Sequence, residues 1–140
     1  VMEHVRTYME RRIPQKNKLL ELSFHVETKR LIKGNSDLLE WALENLIKNS
    51  VDAIGGKAGK ITVNAKDISG NKILIDITDT GKGIPESQWK TIFKPGFSTK
   101  KRGWGLGLSL TKRILEEYHK GRIYVLESAE GEGTTIRIEL

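Results

Sequence analysis

The sequence predicts an α+β fold, a two-layer sandwich in which a mixed, mostly antiparallel sheet is covered on one face by three helices. Three observations predict it: short runs with alternating apolar residues, two longer segments with apolar residues at helical spacing, and glycine-rich turns between them. With 140 residues, 37% of them apolar, the chain can bury one core. We expect residues 16–140 to form a single domain and residues 1–15 to be the tail of a preceding helix or a linker.

The individual elements follow from local patterns. Residues 1–12 have a helical pattern that Pro14 ends, residues 69–71 form the turn of a predicted hairpin, and residues 94–105 are a basic, glycine-containing loop. The predicted strands are residues 20–26, 30–33, 61–65, 72–79, 122–127 and 134–140. The first predicted helix is capped by Asn35 or Ser36 and has an apolar face from Leu39 to Ile54. The other predicted helices are residues 86–93 after Pro85 and residues 106–119, with Leu110, Ile114 and Tyr118 on one stripe.

Composition excludes several classes of function. The chain has no cysteine, which excludes disulfides and thiolate chemistry, and its three histidines lack zinc-ligand spacing. The net charge of +6 suggests phosphate binding, but the few aromatic residues do not interleave with basic ones, so we expect no nucleic-acid partner. No apolar run approaches the roughly 20 residues of a membrane span, and there is no signal-peptide pattern. We expect a soluble piece without direct membrane contact, whose parent is either membrane-anchored or soluble.

Asp79 has an unusual position at the end of an apolar strand. Because side chains alternate along a strand, Asp79 shares the face of Ile75 and Ile77 and points toward the core. A buried carboxylate without a partner costs several kcal/mol or becomes protonated. Either a protein donor or a ligand donor such as an exocyclic amine must therefore satisfy it. Two glycines, Gly81 and Gly83, follow it.

Three oxygen-bearing side chains form a polar stripe on the first long predicted helix. Asn45, Asn49 and Asp52 are spaced i, i+4 and i+7, so all of them can face one ligand. Hard oxygen ligands suit Mg²⁺, which takes the rest of its shell from water and phosphate oxygens. A solvated polar edge of the helix is the alternative.

A glycine-rich segment over residues 103–108 precedes the last predicted helix. Glycines let the backbone approach an anion, and the free amides of a helix N-terminus bind phosphate. The spacing matches neither the dinucleotide-binding fingerprint nor the P-loop, so alone it is a weak signal. Lys100 and the two basic residues after it can neutralise phosphate charge, or they are simply solvated.

In this order and spacing, the segments resemble the Bergerat-type ATP-binding fold that sensor histidine kinases share with gyrase-like, MutL-like and heat-shock chaperone ATPases. The segments that carry the resemblance are residues 44–53 (N box), 79–84 (G1 box), 93–100 (F-box region), 103–108 (G2 box) and 131–135 (final Gly-Thr segment). The resemblance covers roughly residues 18–140 and is strongest to the catalytic, ATP-binding domain of sensor histidine kinases.

The resemblance implies a site for ATP and Mg²⁺. Asp79 would accept from the adenine amino group, Asn49 would ligate Mg²⁺, and Lys100 would hold the phosphates, which makes Asn49 and Lys100 the expected catalytic residues. Thr134 or Thr135 would reach Asp79 through water, and the sequence leaves that choice open. Further nucleotide contacts are implied at Asn45, Lys48, Asp52, Gly81, Gly83, Ile84, Ser98, Thr99, Gly103, Gly105, Leu106, Gly107 and Leu108. Asp52 departs from the family, because many sensor kinases carry a basic residue there.

Position 45 bears on what happens to the phosphate. Gyrase-like ATPases carry a glutamate four residues before the metal-binding asparagine, as the base that activates water, whereas this chain has Asn45. A neutral amide cannot take that proton, and Glu44 lies about 100° away around the helix. The resemblance therefore implies transfer of the γ-phosphoryl group to a histidine. An anti-sigma-type serine kinase and a gyrase-like or MutL-like ATPase gate are the alternatives.

The acceptor histidine and the partners are expected outside these residues. Family acceptors are followed by an acidic residue, whereas His4 precedes valine, His25 lies in a strand pattern and His119 lies at a helix end. Residues 1–12 would then be the end of the dimerisation helix that carries the acceptor upstream. The resemblance implies a cytoplasmic domain of a full-length homodimer, with its own dimerisation and phosphoacceptor domain and a response regulator as partners.

Overall fold

The computed structural model describes Thr7 and residues 20–27, 36–68, 72–95 and 107–140. The strands in these ranges are β1 Leu20–Val26, β2 Gly59–Ile68, β3 Lys72–Asp79, β4 Arg122–Ala129 and β5 Gly133–Glu139. They form one sheet with the order β1-β2-β3-β5-β4. β1 pairs in parallel with β2 and the other three pairings are antiparallel, which confirms the predicted mixed, mostly antiparallel sheet.

Helices cover one face of this sheet, as predicted. Helix α1 spans Ser36–Ile54, and helix α2 spans Gly107–Arg113 and continues as a π-helical segment, Ile114–Tyr118. Two short 3₁₀ helices, Glu86–Gln88 and Thr91–Phe93, complete the layer. Helix α1 packs on the sheet because its apolar residues recur three or four positions apart. Those at most 2% exposed are Leu39, Ala42, Leu43, Leu46 and Ile47.

The core lies between the helical layer and the sheet. Inward side chains alternate with outward ones along the central strands, and Ile61, Val63, Ile75, Ile77 and Ile138 are at most 1% exposed. Fully burying a side chain of this size contributes roughly 1.5–3 kcal/mol, so these positions determine the register of the central strands. Asp79 is the last residue of β3 on this inward face.

The opposite face of the sheet carries a paired arginine and aspartate. Arg137 of β5 donates from Nε to Asp76 Oδ1 and from Nη2 to Asp76 Oδ2, each over 2.8 Å. The hydrogen bonds from Arg137 to Asp76 raise the pKa of Arg137 above its usual value. Both side chains are less than one-third exposed, so the pair ties β3 to β5 in a partly dry environment.

The structure corrects the predicted helix over residues 86–93. Pro85 has an extended backbone, with φ −57° and ψ 138°, and two 3₁₀ turns replace the single α-helix. Helices this short are marginal without tertiary contacts. Here the indole N–H of Trp89 donates to the carbonyl of Ile84 over 2.9 Å, and Ile92 and Phe93 are buried. These contacts, rather than local helix propensity, determine the path of the chain.

Only one residue of the predicted stripe on the last helix is buried. Leu110 is 42% exposed and Tyr118 60% exposed, although Ile114 is buried as predicted. Thr111 is fully buried and contacts Asn45 of α1, with 2.9 Å between Thr111 Oγ1 and Asn45 Nδ2. The buried face of this helix therefore consists of Thr111, Ile114 and Leu115.

Four predicted elements fall on residues outside the described ranges: the helix over residues 1–12 apart from Thr7, the strand over 30–33, the turn over 69–71 and the loop beyond Pro95. In the part of the chain that the structure describes, no helix combines the length and apolarity needed to cross a membrane.

Candidate functional site

A cavity of about 580 Å³ lies between α1, the end of β3 and the segment that follows β3. Its apolar walls are Leu46, Ala53, Ile84, Pro85, Ile92, Leu108 and Ile136, with Gly83 beside them. Its polar lining is Asn49, Ser50, Asp52, Asp79, Lys82, Gln88, Glu130 and Thr134. An apolar cleft with a few convergent polar groups is typical of a small-molecule site.

Asp79 is the most buried ionisable group of this lining, at 7% exposure. The backbone N–H of Gly81 donates to Asp79 Oδ1 over 2.8 Å, and the Ser50 hydroxyl and the Thr134 backbone N–H also donate to the carboxylate. Burial raises the pKa of Asp79, and these three donors oppose the rise. A carboxylate can accept about four hydrogen bonds, so the protein satisfies Asp79 in part and leaves capacity for a ligand donor.

Two glycines shape the segment that follows Asp79. Gly83 has a φ of 79°, and a Cβ there would overlap the carbonyl oxygen of Ala129 in β4. A Cβ on Gly81 would lie 2.7 Å from the carbonyl carbon of Ala53 in α1. Only glycine fits either position without backbone movement. The segment therefore passes closely between α1 and the end of β4.

Main-chain hydrogen bonds hold the same segment on both sides. The Lys82 N–H donates to the carbonyl of Ala53 over 3.1 Å, and the Lys82 carbonyl accepts from the N–H of Gly131 over 2.8 Å. The N–H of Ile84 donates to Ser128 Oγ over 2.7 Å. The wall of the cavity is thereby tied to α1 on one side and to the β4–β5 hairpin on the other.

The structure distinguishes the two threonines that the sequence left open. Thr134 lines the cavity, pairs with Asp79 in the β3–β5 register and places its hydroxyl 2.7 Å from Ser128 Oγ. Thr135 places its hydroxyl 3.0 Å from Thr78 Oγ1 instead. Thr134 is therefore the threonine beside Asp79 on the cavity side.

The predicted polar stripe of α1 reaches the cavity only in part. Among the described residues, the cavity lining includes Asn49 and Asp52 but neither Asn45 nor Lys48. Lys48 is exposed to solvent, whereas the Asn45 amide points at Thr111 of α2. Asn49 and Asp52 offer an amide and a carboxylate oxygen, which are donor types that Mg²⁺ prefers. Of the predicted stripe, only Asn49 and Asp52 can therefore contribute to a cation site in this cavity.

The glycine-rich segment is described only from its last two residues onward. Gly107 begins α2 and packs against Asn45, and Leu108 lines the cavity. The sequence predictions at Ser98, Thr99, Lys100, Gly103, Gly105 and Leu106 lie outside the described residues. Their phosphate-binding roles remain predictions.

Ser50 is a site residue that the sequence analysis missed. It is 4% exposed and donates to Asp79. A signal was present, because Ser50 follows Leu46 and Ile47 at helical spacing, and a lone hydroxyl on an apolar helix face indicates a buried polar partner. Ser128 was also missed, and no local pattern marks it, because its partner Ile84 lies 44 residues away in the chain.

The site combines an apolar cavity, one buried acceptor and oxygen-bearing side chains nearer to solvent. It can bind a planar ring with an exocyclic N–H, held by Asp79 and packed against Ile84 and Leu108. Asn49 and Asp52 can then contact a polar, cation-bound extension of the same ligand.

Comparison with known sequences gives one matching family and many relatives. The family described as histidine kinase-, DNA gyrase B-, and HSP90-like ATPase matches residues 34–140. Sensor histidine kinase ZraS of Salmonella typhi is 43% identical over 114 residues, which cover 81% of this chain and 24% of that protein. Sporulation kinase C of Bacillus subtilis is 31% identical over 140 residues, which cover 100% of this chain and 32% of that protein. The chain thus spans about a quarter to a third of these relatives.

Solved structures share the fold. The catalytic domain of histidine kinase ThkA matches with a TM-score of 0.84 at 29% identity, covering 99% of this chain and 88% of that one. A complex of ThkA with the response regulator protein TrrA matches with a TM-score of 0.80 at 26% identity, covering 99% and 38%. Full-length ShkA in complex with AMPPNP matches with a TM-score of 0.80 at 26% identity, covering 98% and 28%.

Proposed function

The chain belongs to the family of histidine kinase-, DNA gyrase B- and HSP90-like ATPases, and from this premise we propose that it binds Mg²⁺-ATP and donates the γ-phosphoryl group to a histidine on a separate dimerisation domain. Its relatives are sensor histidine kinases, and it corresponds to their catalytic, ATP-binding domain. Because the chain spans only part of these relatives, the acceptor, the dimerisation domain and the response regulator belong to the proposal.

The observation that carries the proposal is the unfilled accepting capacity of Asp79 inside an apolar cavity. Three protein donors converge on a carboxylate that can accept about four hydrogen bonds. The adenine amino group has the size and polarity to donate the remaining hydrogen bond that the Asp79 carboxylate can accept. Ile84 and Leu108 line the same cavity and would pack against the faces of the ring.

The metal part of the proposal rests on Asn49. Its amide oxygen and the carboxylate of Asp52 are hard oxygen donors in the same cavity lining. Among the described residues, no group of three or more His, Cys, Asp or Glu could hold a metal ion alone. The amide and carboxylate oxygens of Asn49 and Asp52 fit Mg²⁺ that is bound together with phosphate oxygens. The ion would neutralise phosphate charge during transfer. Asn49 would hold the ion, and Lys100 would bind the phosphates.

Transfer to a histidine is favoured over hydrolysis by the lack of a base at position 45. The Asn45 side chain is an amide hydrogen-bonded to Thr111, so it cannot accept a proton from water. The two described histidines are poor acceptors: His25 is on β1 outside the cavity lining, and His119 Nδ1 is 2.8 Å from the carbonyl of Ile114. The acceptor is therefore proposed to lie on another domain of the full-length protein.

A response regulator is the proposed next partner. The complex of ThkA with TrrA supports this extension, because it pairs a structurally similar kinase with such a protein. We place the domain in the cytoplasm, where ATP and a response regulator are both accessible, and propose a homodimeric parent.

Titration with a fluorescent ATP analogue in the presence of Mg²⁺ tests the proposal. Wild type should bind, and Asp79→Asn should bind at least about tenfold more weakly, because a hydrogen bond to a charged group contributes about 1.5–3 kcal/mol. The side-chain amide of this variant also directs its own N–H toward the protein donors that hydrogen-bond to the Asp79 carboxylate in wild type. Asp67→Asn is the matched control, since Asp67 is exposed near the far end of β2. Absence of binding by wild type, or equal binding by Asp79→Asn, would overturn the proposal.

A further inference from the structure

The Asn45 side chain forms a hydrogen-bonded connection between α1 and the first turn of α2. Asn45 Nδ2 donates to Thr111 Oγ1 over 2.9 Å, and Thr111 Oγ1 donates to the carbonyl of Gly107 over 2.7 Å. A hydroxyl has one proton, so Thr111 uses it on Gly107 and can only accept from Asn45. The amide of Asn45 is therefore committed to α2 as a donor.

The surroundings make this connection specific. Thr111 is fully buried, so water cannot replace Asn45 as its partner. A Cβ on Gly107 would lie 3.2 Å from Asn45 Nδ2 and 3.3 Å from Asn45 Oδ1. Such contacts are tight, so a side chain at position 107 would displace either the Asn45 amide or the start of α2. The absence of a side chain at Gly107 lets the two helices approach at this point.

Both ends of the connection lead directly to the cavity. Asn49 lies one turn after Asn45 on α1 and lines the cavity, and Leu108 follows Gly107 on α2 and lines it too. The contact between Asn45 and Thr111 therefore fixes the distance between a proposed metal ligand and an apolar wall of the base pocket. Loss of the contact removes a hydrogen bond that holds the first turn of α2 against α1.

We propose that Asn45 is a positioning residue, which sets nucleotide affinity by holding the start of α2 against α1 and does not itself ligate the metal or the nucleotide. This inference rests on the proposed function, because it concerns the same cavity. It also assigns a purpose to Thr111, a buried hydroxyl outside the cavity lining.

The test is a set of affinities for a fluorescent ATP analogue, each measured with Mg²⁺ and with a chelator. Asn45→Ala and Thr111→Val should each bind about threefold to tenfold more weakly under both conditions, since one hydrogen bond contributes a factor of this size. The double variant should bind no more weakly than the weaker single one. Thr111→Ser keeps the hydroxyl and should retain most of the affinity. Asn64→Ala, at an exposed asparagine of β2, is the matched control and should bind like wild type.

Thr111→Val separates the outcomes, because valine has nearly the shape of threonine and the residue does not line the cavity. Circular dichroism checks that each variant is folded. Wild-type affinity of folded Thr111→Val would overturn the inference. So would fully additive losses in the double variant, or a loss in Asn45→Ala that appears only with Mg²⁺, because that result would make Asn45 a metal ligand. Failure of wild type to bind would instead overturn the proposed function.

Discussion

The hydroxyl of Ser50 on α1 donates a hydrogen bond to the carboxylate of Asp79 at the end of β3, so helix and sheet meet at the most buried acceptor of the cavity. This bond lowers the pKa of Asp79, as do the N–H groups of Gly81 and Thr134, whereas burial raises it more strongly. Asp79 is therefore held as an acceptor by a balance that a single substitution can shift.

We expect ligand binding to depend on pH through this balance. The net pKa of Asp79 is raised above 3.8, so binding should weaken on acidification at a higher pH than for an ordinary aspartate. Ser50→Ala removes a donor that lowers the pKa and should move the weakening to still higher pH. A fluorescent adenosine analogue without phosphates, titrated between about pH 4 and pH 8, isolates Asp79 from phosphate protonation. Identical pH profiles for wild type and Ser50→Ala would contradict this expectation.

In the unliganded domain, the contribution of Asp79 to stability should change with pH in the opposite direction to that of most aspartates. The folded state raises the pKa of Asp79, so between 3.8 and the raised value it binds more protons than the unfolded state. The contribution of Asp79 to the free energy of unfolding is thus present at low pH and falls as pH rises through this window. Urea unfolding of wild type and Asp79→Asn should show wild type gaining relative stability on acidification. A constant difference between the two proteins would argue against it.

Gly83→Ala should disrupt the segment between β3 and the 3₁₀ helices. Alanine there combines a positive φ with overlap of the Ala129 carbonyl, which should cost roughly 2–5 kcal/mol and abolish nucleotide binding. Gly56 has nearly the same φ, 80°, but no atom lies within 4 Å of its Cβ position. Gly56→Ala should therefore cost only about 1–2 kcal/mol and leave binding unchanged. Equal urea midpoints for the two variants would show that the overlap is relieved without cost.

The ion pair on the outer sheet face should stabilise the domain without affecting the nucleotide. Arg137→Met leaves the partly buried Asp76 carboxylate without its two hydrogen bonds and should cost about 1–3 kcal/mol of unfolding free energy. The pair of Arg113 and Glu117 is more than 60% exposed on both sides, so Arg113→Met should cost less than about 0.5 kcal/mol. Urea unfolding and analogue binding measure the two properties separately. A weakened nucleotide affinity in Arg137→Met would mean that the two faces of the sheet are coupled.

The isolated chain should bind ATP without phosphorylating itself. His25 lies on a strand outside the cavity lining, and His119 is engaged with the carbonyl of Ile114, so neither is presented to the nucleotide. Incubation with γ-labelled ATP should give no acid-labile phosphate on this chain, and detection of phosphohistidine on it would contradict the proposed separate acceptor.

Sequence patterns predicted those parts of the fold whose burial follows from their own periodicity. The strand that ends at Asp79 and the helix Ser36–Ile54 were predicted in this way, because alternating or helical spacing leaves one face for the core. The resemblance to known ATP-binding domains added the roles expected of Asn49, Leu108 and Thr134, all of which line one cavity.

Contacts between distant segments could not be predicted from spacing. Asn45 and Thr111 are 66 residues apart, and their hydrogen bond directs the Asn45 amide to the buried Thr111 of α2. The 3₁₀ turns after Pro85 likewise depend on Trp89 and on buried neighbours rather than on local propensity. The direction of a side chain at such positions depends on how the helices and the sheet pack together, not on the local sequence.

The main-chain bonds of Lys82 have a consequence for sequence variation. Its N–H and carbonyl bridge Ala53 and Gly131, and every residue except proline supplies that pair of groups. The residues on either side, Gly81 and Gly83, have no room for a Cβ. In homologous chains we therefore expect glycine at both flanking positions and a variable residue between them. Substitution of that middle residue can change the charge at the edge of the cavity and leave the backbone conformation unchanged.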